Sequence, residues 1–584
     1  MELVFSSSLS STLTVTKILR SPRHATTGNM QGYSRFPLFF TIASRSNASQ
    51  AKHRRSANYH PTIWDPKAIE CLRTPYTYDG VHGARLQKLK DEVRSLLTTF
   101  TKEPCGQLKL IDSMQRLGVS YHFREEIKEI LNLVELDSDS DLYTTALHFR
   151  LLRQHGFTIS KEVFEKFRNE DGKFKDSLKE DILGLLSLYD ASYLGMHGEH
   201  ILEEAKDFST EQLKSLPGRS QGDIVTYQVK QALDVPLHWR MQRIENRNYI
   251  NIYQKEDTNN LALLELAKLD YNLVQSVYQT ELKELARWWI ALGFREKLHF
   301  SRDRLMENYL WSMGMIFEPH FSKCRIYLTK FICILSSIDD MYDIYGSLDE
   351  LELFTSALKR WDPMALEELP DYMKICYLAI LNFASELVYD VLKEEGLYTL
   401  PFIRDEWVKL CQAYLVEARW FNSGYTPTFD EYLENAWISV GGHEAIVHAC
   451  ALLGHTSTED FQNFLKHGFE LIYWSSLLVR LNDDLGTSPA EIKRGDVVKS
   501  IQCYMIEKGV SEREAKDHIG GLISHAWKIL NEESVKHSLS RSLVNMCLNM
   551  TRTAQCIFQY GDGIGTSTGV TKDCLESLII EPIP

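Results

Sequence analysis

Several signatures of other protein classes are missing from this chain of 584 residues. The eleven cysteines form no CxxC pair, which argues against a disulfide framework or a zinc site and favours free thiols in a reducing compartment. No apolar run reaches the roughly 18 residues that a membrane-spanning helix needs. The net charge of −14 argues against a nucleic-acid-binding surface and suits a protein that handles cations.

Alternation of apolar and polar residues, the pattern of half-buried strands, is also scarce. Helical periodicity dominates, as in residues 86–100 and 178–194, where apolar residues recur at i, i+3, i+4 and i+7. The sequence therefore predicts an all-α protein with two helical domains, residues 53–260 and 261–584. The polar interruption KEDTNN (255–260) marks the predicted joint between them.

The first 55 residues differ from the rest of the chain in charge. They contain eight Lys or Arg and one acidic residue, Glu2, and they are rich in serine, as in SSSLSS at 6–11. A basic, Ser-rich and acid-poor leader is typical of an organelle transit peptide. We therefore predict that residues 1–52 are a transit peptide; the alternative is a tail without structure.

Three short patterns resemble known sites but lack a required feature. DSDSD (137–141) is followed by neither the glycine nor the glutamate of a calcium loop and is predicted to be a solvated acidic turn. The two histidines of HEAIVH (443–448) are five residues apart instead of four, so we expect them to pack in or near the core and not to bind zinc. GDGIG (561–565) has no preceding strand and is predicted to be a flexible loop.

An acidic segment follows the apolar run in FICILSSIDDMYDIYG (331–346). In a helix, Asp339 and Asp343 lie one turn apart on one face, with Asp340 beside them. Carboxylates next to an apolar face are costly unless a cation relieves the charge, and Mg²⁺ prefers carboxylates, waters and phosphate oxygens. A solvated acidic helix end is the alternative for this segment taken alone.

A second acidic segment, SSLLVRLNDDLGTSPAEIKRGD, begins at residue 475. Asp483, Thr487 and Glu491 lie at i, i+4 and i+8 on one helix face, and Arg480 lies one turn before them. Such a face can hold a metal ion and the phosphate that the metal bridges. Two helices of this kind facing each other predict a magnesium–diphosphate site.

A third element is SRDRLMENYLW (301–311). The guanidinium groups of Arg302 and Arg304 suit phosphate oxygens, although a surface pair at a helix start is the alternative. Trp311 lies two turns further along the same helix. Its ring can stabilise a cation, whereas the alternative is ordinary core packing.

With these motifs in this order, the chain resembles a plant class I terpene synthase of the angiosperm monoterpene branch. The resemblance covers almost the whole chain after residue 53. It rests on RRSANYHPTIW (54–64), RDR (302–304), DDMYD (339–343) and DDLGTSPAE (483–491), and on the flanking segments LKLIDSMQRLGVSYHF (108–123) and ALHFRLLRQHG (146–156).

The resemblance implies a mostly structural N-terminal α-barrel and a catalytic C-terminal α-bundle. DSDSD does not supply the DxDD motif of a class II cyclase, so cyclisation started by protonation is not expected. The expected activity is that of a carbon–oxygen lyase. It would ionise geranyl diphosphate to a carbocation and release diphosphate and a monoterpene olefin or alcohol. A monomer in the plastid stroma is expected.

The resemblance also assigns roles to residues. Asp339 and Asp343 are expected to bind two Mg²⁺, supported by Asp340, and a third ion is expected on Asp483, Thr487 and Glu491, with Mn²⁺ as a substitute. The residues expected to contact the diphosphate are Arg302, Arg304, Arg480 and Lys499. Those expected to close a lid over the pocket are Arg54, Arg55 and Trp64. Trp311, with other apolar and aromatic wall residues, is expected to shield the cation.

The chain departs from the family pattern at three places. Pro489 falls between Thr487 and Glu491, so the helix is expected to bend or to start anew there. Phe558 and Ile564 stand where limonene-type enzymes carry a Tyr and a His that are suggested proton acceptors, which disfavours limonene as the product. Ile332 and Val479 stand where isoprene synthases carry Phe, which favours a C10 over a C5 substrate.

Two alternatives to a monoterpene synthase stay open at this point. The first is an isoprene or sesquiterpene synthase. The second is a catalytically silent helical protein that serves as a partner subunit. Intact ligands in both acidic segments argue against the silent protein, because a binding module has no need of them.

Overall fold

The computed structural model describes residues 54–99, 103–215, 224–454, 457–494, 498–536, 539–565 and 569–584. The segment from Arg54 to Pro584 forms one compact unit. The predicted transit peptide, residues 1–52, lies outside the described residues. The two predicted domains within the compact unit stay a prediction.

Nine α-helices form the first part of the described chain. They are α1 (Pro66–Glu70), α2 (Val81–Thr99), α3 (Pro104–Arg116), α4 (Arg124–Leu133), α5 (Leu142–Gln154), α6 (Ile182–Ser192), α7 (His200–Ser215), α8 (Ile224–Asp234) and α9 (Gln242–Tyr253). Four 3₁₀ turns are interspersed at Ser120–His122, Lys161–Phe167, Asp176–Glu180 and Leu237–Trp239.

The remaining helices carry the candidate site. They are α10 (Leu261–Leu292), α11 (Phe294–Lys297), α12 (Leu305–Met315), α13 (Ser322–Asp340), α14 (Leu348–Arg360), α15 (Asp371–Glu395), α16 (Leu400–Ser423), α17 (Phe429–Ser439), α18 (Gly442–Cys450), α19 (Thr458–His467), α20 (Phe469–Arg494), α21 (Ser500–Lys508), α22 (Glu512–Glu533), α23 (Arg541–Phe558) and α24 (Val570–Leu575). Two 3₁₀ turns occur at Pro319–Phe321 and Pro363–Glu368, and two π turns at Met341–Tyr345 and Glu576–Ile580.

The all-α prediction is confirmed for the described residues, where the only β-type pairing is an isolated bridge between Arg168 and Phe174. The polar interruption at 255–260 separates α9 from α10. The Asn260 side chain caps α10 by accepting a hydrogen bond of 3.0 Å from the Leu263 amide. Capping of this kind satisfies an amide that the helix itself cannot pair, which fixes where the helix begins.

A bundle of helices surrounds the candidate site. Helix α12 packs on α13 and α23, and α20 packs on α18 and α23. Close approach of α12 to α23 depends on Gly314, since a Cβ there would lie 2.2 Å from the Thr553 hydroxyl oxygen. A larger residue at this position would push apart two helices that line the cavity described below.

One helix of the described residues, α15, is long and apolar enough to cross a membrane by length and composition. Half of its most apolar window is buried in the protein. It packs against α13 and α16, so its apolar face has partners within the bundle.

Candidate active site

A cavity of about 160 Å³ opens among the helices of the C-terminal bundle. Most of the residues predicted from the sequence line it, although they come from segments far apart in the chain. The predicted residues on its wall are Arg302, Trp311, Asp339, Asp343, Arg480, Asp483, Thr487 and Lys499. The two acidic segments therefore do face one space.

The first acidic segment changes helix type within its own length. Helix α13 ends at Asp340, and the chain continues as the π turn Met341–Tyr345, which contains Asp343. Such turns are rare and occur often at functional sites. Asp339 and Asp343 line the cavity, whereas Asp340 is fully buried behind them. This placement agrees with a supporting role for Asp340.

Arg302 connects the acidic segment to the start of α12. The backbone amide of Arg302 donates a hydrogen bond of 2.7 Å to Asp340, and its Nε lies 2.9 Å from the other oxygen of that carboxylate. Its terminal nitrogen pairs with Asp339. The guanidinium also lies over the ring of Tyr59, 5.2 Å from the ring centre. One cation thus orders two carboxylates and faces the cavity.

The second acidic segment lies on α20. This helix runs without interruption from Phe469 to Arg494, so it does not start anew at Pro489. Helix α20 packs against α22 and α23, and the proline removes one hydrogen bond within the helix. The predicted ligand Glu491 belongs to this helix, but its side chain lies outside what the structure describes.

Asp483 and Thr487 point into the cavity from one face of α20. The Thr487 hydroxyl donates a hydrogen bond of 2.9 Å to the backbone carbonyl of Asp483, so its oxygen lone pairs stay available to a cation. The neighbouring Asp484 is fully buried and accepts hydrogen bonds of 3.0 Å from Tyr432 and 3.1 Å from the Ser500 amide. Asp483 therefore faces the cavity, whereas Asp484 connects α20 to Tyr432 on α17 and to the start of α21.

A buried carboxylate that the sequence analysis missed, Glu417 on α16, lies beside two cations on this side of the cavity. Its oxygen lies 3.5 Å from Lys499 Nζ, and Arg480 lies close enough to affect its ionisation. Burial acts to raise the pKa of Glu417, but the charges of Lys499 and Arg480 outweigh burial and lower it. Arg480 Nη1 itself lies 2.9 Å from Asp483.

Arg304 does not line the cavity, unlike the other predicted phosphate-binding residues. It is 1% exposed, and its guanidinium donates to backbone carbonyls. The hydrogen bonds to His60, Ile564 and Gly565 are each 2.7 Å long. This arginine therefore ties the N-terminal segment to the GDGIG loop in the structure, and a diphosphate contact is not supported by its placement.

The GDGIG loop has a more specific place than the sequence predicts. Asp562 and Ile564 line the cavity. The Asp562 carboxylate accepts a hydrogen bond of 2.6 Å from the Gly565 amide, which closes the loop on itself. The sequence analysis compared Ile564 with a position in related enzymes but did not assign Asp562 to the site.

The predicted lid residues Arg54 and Arg55 lie against the end of the first acidic segment. Arg54 forms two hydrogen bonds with Glu350, of 2.9 and 2.8 Å, and its guanidinium lies 4.5 Å from the centre of the Tyr345 ring. Arg55 donates a hydrogen bond of 2.9 Å to the backbone carbonyl of Asp343. Ten residues later, the third member of the predicted lid, Trp64, is half-buried.

Tyr59, which lies between Arg55 and Trp64 in the sequence, forms part of the cavity wall. Its hydroxyl interacts with Asp340, and burial raises the pKa of Tyr59. The N-terminal segment thus contributes a side chain to the cavity as well as contacts at its rim.

Apolar and aromatic side chains form the remaining wall. Trp311 is buried, with its ring centre 6.1 Å from that of Phe558. Ile332, Val479 and Ile564, the positions compared above with related enzymes, also line the cavity. The wall therefore combines one acidic and cationic region with one apolar region, as a substrate with a charged head and a hydrocarbon tail requires.

The donor set fits divalent cations that prefer oxygen. Two carboxylates from one helix end face a carboxylate and a hydroxyl from another helix, and Mg²⁺ takes such ligands together with water and phosphate oxygens. Burial raises the pKa of the Tyr414 hydroxyl, and the negative charges of Asp339 and Asp343 raise it further. The cations Arg302, Arg480 and Lys499 around the same space suit an anionic phosphate group.

Two family profiles match the chain. Residues 64–233 match "Terpene synthase, N-terminal domain", and residues 291–529 match "Terpene synthase family, metal binding domain". The second match contains both acidic segments.

Two relatives align over nearly the full length. The chain is 97% identical over 583 residues to "Probable terpene synthase 9" of Ricinus communis, covering 100% of both chains. It is 56% identical to "Trans-ocimene synthase, chloroplastic" of Litsea cubeba, covering 96% of this chain and 97% of the relative.

Two solved structures share the fold. A limonene synthase with 2-fluorolinalyl diphosphate is 41% identical, with a TM-score of 0.87, covering 91% of this chain and 100% of that chain. The isoprene synthase of grey poplar (Populus x canescens), in complex with three Mg²⁺ ions and dimethylallyl-S-thiolodiphosphate, is 41% identical. The TM-score of this match is 0.82, and the alignment covers 88% of this chain and 99% of that chain.

Proposed function

This chain belongs to the terpene synthase family, and we propose that it is a plastidial monoterpene synthase that ionises geranyl diphosphate and releases diphosphate with a monoterpene olefin or alcohol. The observation that carries the proposal is the meeting of two acidic segments in one cavity whose other wall is apolar. The relative at 56% identity is named for ocimene, a C10 product, and is named chloroplastic. The basic, Ser-rich residues 1–52 agree with import into the plastid and a place in the stroma.

The proposed metal site holds three Mg²⁺, with Mn²⁺ as a substitute. Asp339 and Asp343 would hold two ions, and Asp483, Thr487 and Glu491 the third. The number agrees with the three Mg²⁺ in the complex of the related isoprene synthase. When bound, such ions supply Lewis-acid stabilisation of the charge that develops on a leaving phosphate.

The side chains around the ions bind and orient the diphosphate. Arg302, Arg480 and Lys499 present positive charge to the same part of the cavity. Because their partners Asp339, Asp483 and Glu417 already fix their positions, little reorganisation is needed as the carbon–oxygen bond breaks. This fixed charge favours departure of diphosphate and leaves an allylic cation in the cavity.

The apolar wall and the N-terminal segment control what the cation meets next. Trp311 can stabilise positive charge through its ring, and the neighbouring Phe558 excludes water from the same side. Arg54 and Arg55 hold the N-terminal segment over the end of the first acidic segment, where Tyr59 contributes to the wall. Exclusion of water keeps the cation available for elimination or cyclisation.

Ile332 and Val479 favour a ten-carbon substrate. Both line the cavity, and each is smaller than the phenylalanine found at the matching position in isoprene synthases. An isoprene or sesquiterpene synthase is the second candidate within the same chemistry. A silent partner subunit agrees poorly with four intact oxygen ligands on a single cavity.

The test is an assay of the full chain with dimethylallyl, geranyl and farnesyl diphosphates and Mg²⁺, with products separated by gas chromatography. We expect ten-carbon products from geranyl diphosphate as the main volatile compounds. The Asp339→Ala/Asp483→Ala variant should lose at least about 10³-fold of this turnover, since charge stabilisation of the leaving group is removed. Main products of five or fifteen carbons would overturn the choice of substrate, and unchanged turnover in the variant would overturn the proposed site.

A further inference from the structure

Three potential metal ligands meet outside the active cavity, between α16 and α18. Glu406 lies on the second turn of α16, and His443 and Glu444 lie on the first turn of α18. One ligand atom from each residue lies within 4.8 Å of the others. None of the three belongs to the site described above, and the sequence analysis, which considered His443 only together with His448, did not expect His443 to bind zinc.

Glu406 and His443 are already aimed at each other. His443 Nδ1 lies 2.6 Å from one carboxylate oxygen of Glu406, and the other oxygen accepts a hydrogen bond of 2.7 Å from Lys409. One carboxylate oxygen and one imidazole nitrogen are therefore directed into the space between the two helices.

Glu444, the third potential ligand, lies on the first turn of α18 next to His443. It is 0% exposed, and neither of its carboxylate oxygens has a hydrogen-bond partner among the described residues. Burying an unpaired carboxylate is costly, so the group must bind a proton or a cation. Because His443 and Glu406 are directed toward the same space, a cation there could be shared by all three side chains.

A second cavity, of about 500 Å³, gives this cluster access to small ligands. Glu406, Lys409 and His443 line it, together with the rings of Phe402 and Trp437. An ion can enter through this cavity, and a water molecule within it can occupy a coordination position that the protein leaves open.

From this geometry we infer that Glu406, His443 and Glu444 form a binding site for a divalent transition-metal ion of the Zn²⁺ class. Zn²⁺ accepts imidazole nitrogen and carboxylate oxygen at about 2.0–2.2 Å and is commonly held by three protein ligands and a water. Mg²⁺ prefers oxygen ligands alone, which assigns it to the active cavity instead. Among divalent ions, Zn²⁺ also binds mixed nitrogen and oxygen sites more tightly than Mn²⁺ does.

Such an ion would cross-link two walls of the active cavity. Helix α16 also carries Tyr414 and Glu417, and α18 begins with Gly442, all of which line the active cavity. The preceding Gly441 adopts a φ of 76°, where a side chain is strained, and makes the turn into α18. The proposed ion would thus fix this turn without touching the substrate.

The test measures Zn²⁺ binding to the full chain without a histidine tag. The chain carries Asp339→Asn and Asp483→Asn, which remove ligands of the predicted magnesium site. After treatment with a chelator and dialysis, we expect one equivalent of Zn²⁺ to bind, measured by competition with a zinc indicator and by elemental analysis. We expect His443→Ala or Glu444→Gln, added to this background, to weaken the affinity by at least about tenfold. No stoichiometric binding, or equal binding in the variants, would overturn the inference.

The matched control is the exposed pair His200 and Glu203, whose ligand atoms lie 3.5 Å apart. Changing His200→Ala and Glu203→Gln should leave the zinc affinity unchanged. Because His443→Ala can affect folding, X-ray absorption of the zinc-loaded chain provides a second readout. One nitrogen and several oxygen neighbours support the site, whereas sulfur neighbours would overturn it in favour of cysteine.

Discussion

The guanidinium of Arg55 donates a hydrogen bond of 2.9 Å to the backbone carbonyl of Asp343. The N-terminal segment therefore contacts the backbone that positions one of the proposed metal ligands. Arg55 also lies 4.2 Å from the centre of the Phe421 ring on α16, so the same side chain connects α16 to the end of the first acidic segment.

Loss of this contact should impair both the rate and the exclusion of water. We expect Arg55→Ala to lower kcat/KM for geranyl diphosphate by about tenfold, since a hydrogen bond from a charged donor contributes about 1.5 kcal/mol or more. The share of alcohol among the products should rise because water reaches the cation. Gas chromatography measures both, with Arg73→Ala, which changes an exposed arginine later in the chain, as the control. An unchanged rate and product ratio would contradict a closing role for this residue.

Glu417 should matter for stability as well as for activity. Glu417→Gln removes a buried negative charge from beside Lys499 and Arg480, and breaking a buried pair costs about 3–5 kcal/mol. Denaturant unfolding should show this loss in the free energy of unfolding. Glu352→Gln, which removes the exposed ion pair with Arg419, should change the free energy by less than about 1 kcal/mol. Equal changes in the free energy of unfolding for the two substitutions would be evidence that the buried charge of Glu417 stabilises the fold no more than an exposed ion pair does.

The contact between Arg54 and Glu350 should depend on pH. Burial acts to raise the pKa of Glu350, but hydrogen bonds from Arg54, Ser347 and Tyr372 outweigh it and lower the pKa from 4.5 to about 2. Because the pKa is lower in the folded state, the stabilisation is present above pH 4.5 and is lost as the pH falls from 4.5 toward about 2. The difference in Tm between wild type and Glu350→Gln should therefore shrink below pH 4.5.

The matched variant for this measurement is Arg54→Ala. In that background, Glu350→Gln should change Tm by less, since the main charged donor is absent. A difference in Tm that grows on acidification would have the wrong sign for a carboxylate stabilised by a cation.

The preference for substrates of a given hydrocarbon length should depend on Ile332 and Val479 on the cavity wall. The Ile332→Phe/Val479→Phe variant narrows the apolar region, so the ratio of kcat/KM for geranyl over dimethylallyl diphosphate should fall at least about tenfold. Competition between the two substrates, followed by gas chromatography, measures this ratio directly. Leu353→Phe, at an exposed position, is the control. A ratio that stays constant would show that these residues do not set the length of the chain.

Periodicity and local spacing predicted the helices and the two acidic segments because these signals lie within a few turns of one another. Asp339, Asp343, Asp483 and Thr487 indeed face one cavity. Glu417, Tyr414 and Asp562 were missed since each reaches the cavity through packing of a distant segment. No local pattern marks such residues, which are defined by what surrounds them in the folded chain.

The two arginines of the RDR motif are a second case in which the sequence alone did not determine what a side chain contacts. Arg302 and Arg304 are equivalent in the sequence, yet one faces the carboxylates and the other faces backbone carbonyls. Both arginines precede α12, which begins at Leu305, and residues two apart would not share a face even within a helix. Residue type predicted a cation at each position, whereas only the fold determines its partner.

The anchor formed by Arg304 has a consequence for the order in which the protein matures. Its guanidinium donates hydrogen bonds to the carbonyl of His60, which comes early in the sequence, and to those of Ile564 and Gly565, which come about 500 residues later. A nascent chain that has not yet reached residue 564 lacks the second set of partners. The cavity is therefore closed only after residues 562–565 have been made and have folded, so a shorter nascent chain has an incomplete active site.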